Sequence, residues 1–314
     1  MKVQSRFGDW ILLLLCNLMW ASQYSMVKVA QEQMGPVFAT FFPVTLATIL
    51  LVLIVRHRQR SKAEAHRSGP LPRHDLYGFI LIGVCGQIPA QLFITWGVKL
   101  SLASNAALLA LTLPVVTAVM AYFLLGEKMT PVRWVSFAFA IIGVMECSGI
   151  NWKELNLASM DFLIGNLLIF GGICGSSFYN VYSKKLLRRY SPLQVLLYSY
   201  YAVFVVMLPI TLDTEFQGFL NLPHFTLAVW GALIVLALFV YCLSMVLFLN
   251  VLTRLDATQA ALSNYLIPFF GLVLAAVILH ERMTGYMVVG GILVLMSTLL
   301  ITVYEERRKP VTES

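Results

Sequence analysis

The sequence predicts an all-α integral membrane protein with ten transmembrane helices, arranged as two inverted five-helix repeats. The first observation is composition: 59% of the 314 residues are hydrophobic and only 12% are charged, about half the charged share of a typical soluble domain. The second is that apolar runs of about 20 residues, the length that crosses a bilayer, recur along the whole chain. The third is an internal repeat that relates residues 103–130 to residues 257–284.

Ten apolar runs have the length of a membrane span, and most are bounded by Pro, Gly, Asp or basic residues. They cover approximately residues 8–29, 36–55, 76–98, 102–125, 131–150, 161–183, 192–212, 225–250, 257–279 and 285–304. Each run is much longer than the roughly 10 residues of a transmembrane β-strand, so each predicts a helix. The first run is also longer than the apolar core of a signal peptide, so we expect it to be retained.

The basic residues between these runs predict the orientation of the chain. With the N-terminus in the cytoplasm, 18 of the 22 Lys and Arg residues fall on the cytoplasmic side, and only Lys28, Lys99, Lys153 and Arg282 fall outside. Because cytoplasmic loops carry an excess of Lys and Arg, we expect both termini to lie in the cytoplasm. The net charge of +7 is thus explained by topology. Nucleic-acid binding is not expected, since the sequence has no Gly-rich phosphate loop and no basic face interleaved with aromatic residues.

The internal repeat aligns the two halves of the chain with a shift of 154 residues. Between its two segments, 11 of 28 aligned positions are identical without a gap. The identities include Pro114 with Pro268 and Glu127 with Glu281. Apolar bias alone explains matches of Leu and Ala, but it does not explain this ordered series of Pro and Glu. The duplication is therefore interpreted as real.

The duplication predicts two repeats, residues 1–150 and residues 151–314, with a short cytoplasmic tail at the end of the second. Five spans per half is an odd number, so the two halves must have opposite orientations in the membrane. Inverted repeats of this kind are typical of secondary transporters, in which the site lies near the membrane midplane and opens alternately to each side. This similarity of plan favours transport by alternating access.

The repeated segments also carry a family resemblance. Each contains A-x-x-A-A-L, a Pro in mid-helix and [Gly/His]-Glu-[Lys/Arg]-Met-Thr, and the first span includes WASQYSMVK (20–28). Together these motifs resemble the EamA-like family of the drug/metabolite transporter superfamily, over roughly residues 10–300. The resemblance implies a central cavity, the carriage of metabolites such as amino acids, more often by export, and a bacterial inner membrane. Pro43 lies near the position where relatives often carry Arg, so the role of that Arg is in doubt here.

Seven side chains within the spans are candidates for substrate binding, because polar groups inside a membrane are costly and tend to face a cavity. They are Gln23, Tyr24, Gln87, Gln91, Tyr179, Tyr241 and Asn264. Gln87 and Gln91 are spaced i, i+4 on the third span, and the repeat places Gln87 over Tyr241. A shift of 155 residues places Tyr24 over Tyr179. The alternative interpretation is hydrogen bonding between packed helices.

Six further residues are candidates for gating or coupling: Lys28, Pro114, Glu127, Glu146, Pro268 and Glu281. Each proline is expected to leave the carbonyl four residues earlier, that of Ala110 or Asn264, without its helical partner. The two glutamates of the repeated motif lie beside basic residues, so local ion pairing is favoured over a gating contact. Glu146 lies in an apolar stretch and is a candidate for proton coupling. Lys28 has the alternative of simply extending to the outer membrane interface.

Other functional classes are less well supported. The segment GSSF (175–178) superficially fits the serine motif of a membrane-embedded enzyme, but no histidine is predicted to face Ser177 at membrane depth. No metal-ligand cluster, cofactor motif or channel filter is found. The expected partners are a small-molecule substrate and the lipid bilayer. A nucleotide-sugar or drug-like solute is the alternative substrate, and direction, coupling ion and the choice between monomer and homodimer stay open.

Overall fold

The computed structural model of the chain describes residues 3–60, 72–125, 157–254, 264 and 266–280, with scattered residues between 131 and 142 and between 285 and 296. All regular secondary structure in these ranges is helical, and they contain no strand. The fifth predicted span (131–150) and the tenth (285–304) lie largely outside the described residues. Glu127, Glu146 and Glu281 also lie outside them.

The described helices follow the predicted spans closely. They are α1 (Val3–Ala30), α2 (Pro36–Arg60), α3 (73–100), α4 (103–125), α5 (Leu157–Leu186), α6 (Pro192–Thr214), the short α7 (Gln217–Asn221), α8 (Leu227–Leu252) and α9 (Leu266–Leu279). Sequence signals explain several of their ends. At the start of α6, for example, Ser191 and Gln194 form a capping box, which satisfies backbone N–H groups that the first helical turn leaves without partners.

Six helices in the described ranges are long and apolar enough to cross a membrane: Pro36–His57, Asp75–Leu100, Ala103–Met120, Met160–Leu186, Pro192–Thr214 and Leu227–Leu252. Helix α1 has 28 residues and carries most of its polar side chains on its buried face. The outward faces of the bundle are apolar. Leu53, Val205 and Val277, for example, are 58%, 69% and 67% exposed. Apolar side chains this exposed indicate contact with lipid.

Two helices depart from α-helical geometry near their middle. Helix α3 is π-helical over Ile82–Gln87 and again over Pro89–Phe93, and α8 is π-helical over Leu236–Ser244. The stretches in α3 and α8 begin 154 residues apart, which is the shift that aligns the two halves of the sequence. π-Helical segments are rare and occur frequently at functional sites. The sequence did not predict them.

Helix ends that were predicted to lie on the same side of the membrane contact one another. At the predicted cytoplasmic side, Arg254 beyond α8 forms an ion pair of 2.6 Å with Asp9 of α1. There too, Asp75 of α3 accepts hydrogen bonds from Arg189 at 3.3 Å and from the Tyr190 hydroxyl at 2.7 Å, both in the turn after α5. These contacts agree with the predicted alternation of the spans.

At the opposite side, two charged side chains bind helix termini. The ammonium of Lys28 donates hydrogen bonds of 2.8 Å to the carbonyl oxygens of Val98 and Ser101 at the end of α3. The carboxylate of Glu215, just beyond α6, accepts a hydrogen bond of 2.7 Å from the backbone N–H of Phe38 at the start of α2. Each charge opposes the partial charge of the helix terminus that it contacts, so both contacts stabilise the junctions between helices.

Candidate functional site

A cavity lies among the middles of α1, α3, α4 and α5, with side chains from α8 and α9 completing its wall. It encloses about 640 Å³, its open mouth included. The lining consists of aromatic, amide, hydroxyl and aliphatic side chains: Trp20, Gln23, Tyr24, Gln87, Ala90, Gln91, Ile94, Ala110, Leu113, Ile173, Ser176, Tyr179, Asn180, Met245 and Ile267. None of the described lining side chains is charged. Five of the seven predicted binding residues, Gln23, Tyr24, Gln87, Gln91 and Tyr179, are brought together here.

Three glutamines form a hydrogen-bonded chain along one wall of the cavity. Gln23 Nε2 of α1 donates to Gln91 Oε1 at 2.9 Å, and Gln91 Nε2 donates to Gln87 Oε1 at 3.3 Å. Gln23 Nε2 also lies 3.5 Å from the hydroxyl of Tyr241 on α8. Tyr241 is therefore joined to the site through Gln23, although it does not line the cavity. The chain links three helices and also fixes the direction in which each amide points.

The far end of this chain meets polar groups of α5. The Tyr179 hydroxyl faces the side chains of Ser199, Gln87 and Ser183. Yet Tyr179 OH, Gln87 Nε2 and Ser183 Oγ are buried and reach no hydrogen-bond partner within the described part of the chain. Buried polar groups without partners are rare and costly, so these three neighbouring atoms mark a polar cluster whose hydrogen bonding is incomplete within the described part of the chain.

Asn264 does not line the cavity. The residue is 1% exposed, and neither amide atom of its side chain has a hydrogen-bond partner among the described residues. Ile267, three positions later in the chain, does line the cavity. Its backbone is 3₁₀-helical, as is that of Ala110, which lies 154 residues earlier. The two halves thus share a helical irregularity at corresponding positions.

One expectation about the prolines is wrong. The carbonyl of Ala110 is not left free by Pro114, because α4 tightens into a 3₁₀ turn over Ala110–Thr112 and the Leu113 N–H donates to the Ala110 oxygen. A 3₁₀ turn compensates in this way because its hydrogen bonds span one residue fewer than those of an α-helix. Pro268 lies in α9 (Leu266–Leu279), and the expectation for the carbonyl of Asn264 stays a prediction.

Of the remaining gating candidates, only Lys28 lies within the described residues. Lys28 binds the end of α3 and does not line the cavity, so its observed contacts are those of a structural link between α1 and α3. Glu127, Glu146 and Glu281 fall outside the described residues, and their proposed roles stay predictions.

Ser177 has no chemistry of a catalytic nucleophile in its described surroundings. Its hydroxyl is fully buried, accepts a hydrogen bond of 3.1 Å from the Thr117 hydroxyl and lies 3.5 Å from the carbonyl oxygen of Leu113. Neither partner is a base, and nucleophilic catalysis by serine needs a base within hydrogen-bond reach. The contacts of Ser177 instead join α5 to α4.

Part of the cavity lining gave a signal in the sequence, and part of it gave none. Ser176 and Asn180 line the cavity beside Tyr179, and Ser183 lies one turn further along α5. A polar stripe at helical spacing, with Ser176, Asn180 and Ser183 separated by four and three residues, was the signal that pointed to them. The aliphatic part of the lining gave no such signal, since Ile94, Met245 and the other apolar side chains resemble any packed helix surface.

The described helices and the cavity define a multi-pass membrane protein with an uncharged polar cavity at the middle of its helical bundle. The profile of the EamA-like transporter family matches residues 8–147 and again residues 163–303. Most of the chain is covered, and the chain belongs to the EamA-like transporter family. This membership confirms the family resemblance that the sequence motifs predicted. It also points away from an enzyme, implies a small-molecule substrate and lipid as partners, and agrees with a multi-pass location in a membrane.

Relatives of the chain are named as exporters or efflux pumps. The chain is 27% identical to a "Probable terminal-alkyne amino-acid exporter" of Streptantibioticus cattleyicolor, over 92% of this chain and 91% of that protein. It is 24% identical to a "Probable amino-acid metabolite efflux pump" of Escherichia coli, over 94% and 95%. A protein of the latter name from Salmonella typhimurium is 23% identical, again over 94% and 95%.

A solved structure supports the fold. A chain described as "Crystal structure of protein" superposes with a TM-score of 0.64 and covers 97% of this chain and 99% of its own length. The sequence identity is 16%, so this likeness concerns the fold alone. The helical arrangement described above is thus shared with an experimentally determined protein along nearly the whole chain.

Proposed function

We propose that the chain is a ten-helix secondary transporter that exports a zwitterionic metabolite, such as an amino acid, by alternating access. Residues 1–150 and 151–314 form two inverted five-helix repeats, and the cavity between them is the substrate site. Five of the seven residues named from the sequence line this cavity. Tyr241 contacts Gln23, and Asn264 precedes the lining residue Ile267 by three positions. The single observation that carries the proposal is the composition of the cavity, which combines amide, hydroxyl and aromatic side chains with no described charged one.

The repeat architecture is supported by three independent observations. The family profile matches the chain twice, in segments that fall on either side of residue 150. The π-helical stretches of α3 and α8 begin one repeat shift apart. The 3₁₀ conformations of Ala110 and Asn264 are separated by the same shift. Helices with related irregularities at corresponding positions favour a common origin of the two halves, and five spans in each would invert one relative to the other.

The charge of the cavity favours a solute whose own charges cancel. A fixed negative charge, such as the phosphates of a nucleotide sugar, would lose its hydration without a cationic partner from the described lining, which is costly inside a membrane. A zwitterion carries its own compensating charge, and amide and hydroxyl groups can bind both of its ends. The names of the amino-acid exporter and the efflux pumps agree with this substrate class and with outward transport.

The proposed location is the inner membrane of a bacterium, with both termini in the cytoplasm. The distribution of basic residues supports this orientation, because 18 of 22 then lie on the cytoplasmic side. The contacts of Asp9 with Arg254 and of Asp75 with Arg189 support the alternation of the spans, since each joins helix ends that the orientation places together.

Counterflow in proteoliposomes tests the proposal. Vesicles loaded with one unlabelled amino acid at a time should accumulate the same labelled amino acid, and nucleotide sugars, polyamines and cationic drugs should compete poorly. Gln23→Leu removes the central donor of the glutamine chain and should lower the rate at least about tenfold, because buried polar partners are then left unpaired. Phe239→Leu is the matched control and should leave the rate unchanged. Phe239 is 45% exposed and lies on the outer face of α8.

Three outcomes would contradict the proposal. Preferential transport of a nucleotide sugar or a drug would refute the substrate class, and flux that does not saturate would indicate a channel. Equal loss of activity in Gln23→Leu and Phe239→Leu would refute the assignment of the cavity as the site.

A further inference from the structure

Three buried polar atoms lie together at one end of the cavity, and none has a hydrogen-bond partner among the residues that the structure describes. They are Gln87 Nε2 of α3, and Tyr179 OH and Ser183 Oγ of α5, on residues that are 1%, 2% and 0% exposed. Gln87 and Tyr179 line the cavity, and Ser183 lies one helical turn beyond Tyr179. The three groups therefore form a polar cluster at this end of the cavity, in which Ser183 lies behind the two lining residues.

In the structure, the amide NH₂ group of Gln87 faces these hydroxyls. Gln23 donates to Gln91 Oε1, and Gln91 in turn donates to Gln87 Oε1. Because the oxygen of Gln87 already accepts a hydrogen bond, its NH₂ group is the end that is left unpartnered. An amide NH₂ has no acceptor capacity. This end of the cavity therefore offers a fixed donor together with two hydroxyl groups that can also donate.

We propose that Gln87, Tyr179 and Ser183 bind the carboxylate of the transported solute. A carboxylate has about four acceptor positions on two oxygens, and hydrogen bonds to an ionised acceptor are stronger than those between neutral groups. The three residues thus recognise the end that all amino acids share, while the aromatic side chains of Trp20 and Tyr24 border the rest of the cavity. This inference rests on the proposed function and specifies the part of the substrate that the site selects.

The arrangement predicts selection for the acid and tolerance of the side chain. A site built around hydrogen-bond donors rejects an analogue that lacks the matching acceptor. Replacing the carboxylate with hydrogen, as in the decarboxylated amine, removes the group that pairs the three atoms. It also leaves a net positive charge beside a lining without a described anionic side chain. A bound water that fills the same position while the solute sits elsewhere is the competing explanation of the unpartnered atoms.

The test compares each amino acid with its own decarboxylated amine by thermal stabilisation of the purified protein in detergent. The dissociation constant of the amine should be at least about tenfold weaker. Tyr179→Phe, which removes only the hydroxyl, should weaken binding of the amino acid about tenfold and leave that of the amine unchanged. Gln87→Glu replaces the donor with an ionisable acceptor of similar size and should reverse the preference in favour of the amine.

Tyr200→Phe is the matched control. Tyr200 is also a fully buried tyrosine, but its hydroxyl donates to the backbone carbonyl of Tyr241 and it does not line the cavity. The variant should lower stability without changing the ratio of the two dissociation constants. Equal binding of amino acid and amine by the wild type would overturn the carboxylate assignment. An unchanged preference in both Tyr179→Phe and Gln87→Glu would also overturn it and would favour a structural water.

Measurements of binding and of flux test the carboxylate site and the transport function separately. Acid-selective binding that depends on Gln87 and Tyr179 supports the carboxylate site even if the proteoliposomes show no counterflow, and in that case the proposal of transport fails alone. Counterflow of amino acids and amines at equal rates, with equal affinities, supports transport and refutes the carboxylate site.

Discussion

The π-helical stretches of α3 and α8 have corresponding positions in the two halves of the chain, but their neighbours hold them in different ways. The stretch in α3 packs against the backbone of α5. A Cβ atom at Gly175 would lie 2.8 Å from the carbonyl oxygen of Gly86, and one at Gly97, further along α3, would lie 2.5 Å from the oxygen of Gly165. Glycine is therefore required at this contact, because any side chain would separate the two helices.

The stretch in α8 is held by side-chain hydrogen bonds instead. The Tyr200 hydroxyl donates to the carbonyl oxygen of Tyr241 at 2.7 Å, and the Cys16 thiol donates to that of Ser244 at 3.4 Å. A π-helical turn leaves carbonyl groups poorly matched to the usual helical donors, and these side chains supply partners.

The difference assigns separate roles to the two halves. Close contact between backbones holds the π-helical region of α3 without using the side chains of Gln87 and Gln91, which line the cavity. The neighbours of α8 occupy its carbonyl groups, and its Tyr241 only terminates the glutamine chain. Similar helix geometry thus leaves side chains facing the cavity in the first half and is itself held by neighbouring side chains in the second. An asymmetric site suits a solute whose two ends differ.

The largest expected effect comes from breaking the contact between α3 and α5. Gly175→Ala places a Cβ against the Gly86 oxygen and the Ala90 nitrogen, at 2.8 and 2.9 Å. Since both are backbone atoms, the helices must separate, and the free energy of unfolding should fall by about 1–3 kcal/mol or more. Thermal unfolding in detergent measures the change as a fall of several degrees in Tm.

Gly231→Ala is the matched control for this variant. Gly231 lies on α8 before its π-helical stretch, and a Cβ there would meet no atom of the described residues within 4 Å. Because alanine favours a helix over glycine by about 1 kcal/mol, this variant should be neutral or stabilising. Equal stability of Gly175→Ala and Gly231→Ala would show that the glycine contact does not hold α3.

The second prediction concerns the support of α8. Tyr200→Phe removes the donor to the Tyr241 carbonyl and leaves that buried oxygen without this partner, which should cost about 1–3 kcal/mol. Tyr201→Phe, at the neighbouring tyrosine that is 42% exposed, should change the free energy of unfolding by less than about 0.5 kcal/mol. Thermal unfolding of the two variants in parallel measures the difference. A fully stable Tyr200→Phe would indicate that the π-helical stretch of α8 does not depend on this bond.

Much of the fold could be predicted because membrane spans are specified locally. The length of an apolar run and the residues that bound it are sufficient to locate a helix such as α6, which begins at Pro192 and ends at Thr214. The predicted span was 192–212. The alternation of basic residues then places the helix ends, and the contact of Asp9 with Arg254 agrees with that placement.

The site was predictable only in part, for a physical reason. A polar residue in an apolar run is visible in the sequence, so Gln23 and Gln91 could be named as candidates. Their hydrogen bond joins positions 68 residues apart, and its existence depends on how α1 packs against α3. The π-helical geometry and the convergence of Ser183 on Gln87 likewise depend on packing. A pattern within a single helix contains no information on them.

The third prediction compares the ion pairs that anchor α3 and α8 at the same end of the bundle. Arg254→Gln should lower the free energy of unfolding by about 1–2 kcal/mol, because it leaves the buried carboxylate of Asp9 without its basic partner. The side chain of Arg254 is 49% exposed, so solvent screening keeps the loss below that of a fully buried pair. Thermal unfolding at low ionic strength measures it.

Arg189→Gln is the comparison, and it should cost less than about 0.5 kcal/mol. The side chain of Arg189 is 67% exposed, and Asp75 retains its hydrogen bond from Tyr190. High salt should reduce the difference between Arg254→Gln and the wild type. If Arg189→Gln proved the more damaging variant, the end of α3 would depend more strongly on its ion pair than the end of α8.

The smallest effect concerns Tyr190, which anchors the end of α3 through its hydrogen bond to Asp75. Burial of the phenol, and then that hydrogen bond, raises the pKa of Tyr190 to about 12, above the value of about 10 for an unfolded chain. The folded state therefore holds the phenol proton more strongly. The stabilisation is fully present below pH 10 and is lost as the pH rises from 10 through 12. Tyr190→Phe should accordingly be less stable than the wild type at pH 8, and the difference should narrow above pH 10. Thermal unfolding of both proteins across this range measures it, and a constant difference would mean that the phenol proton does not contribute to the anchor.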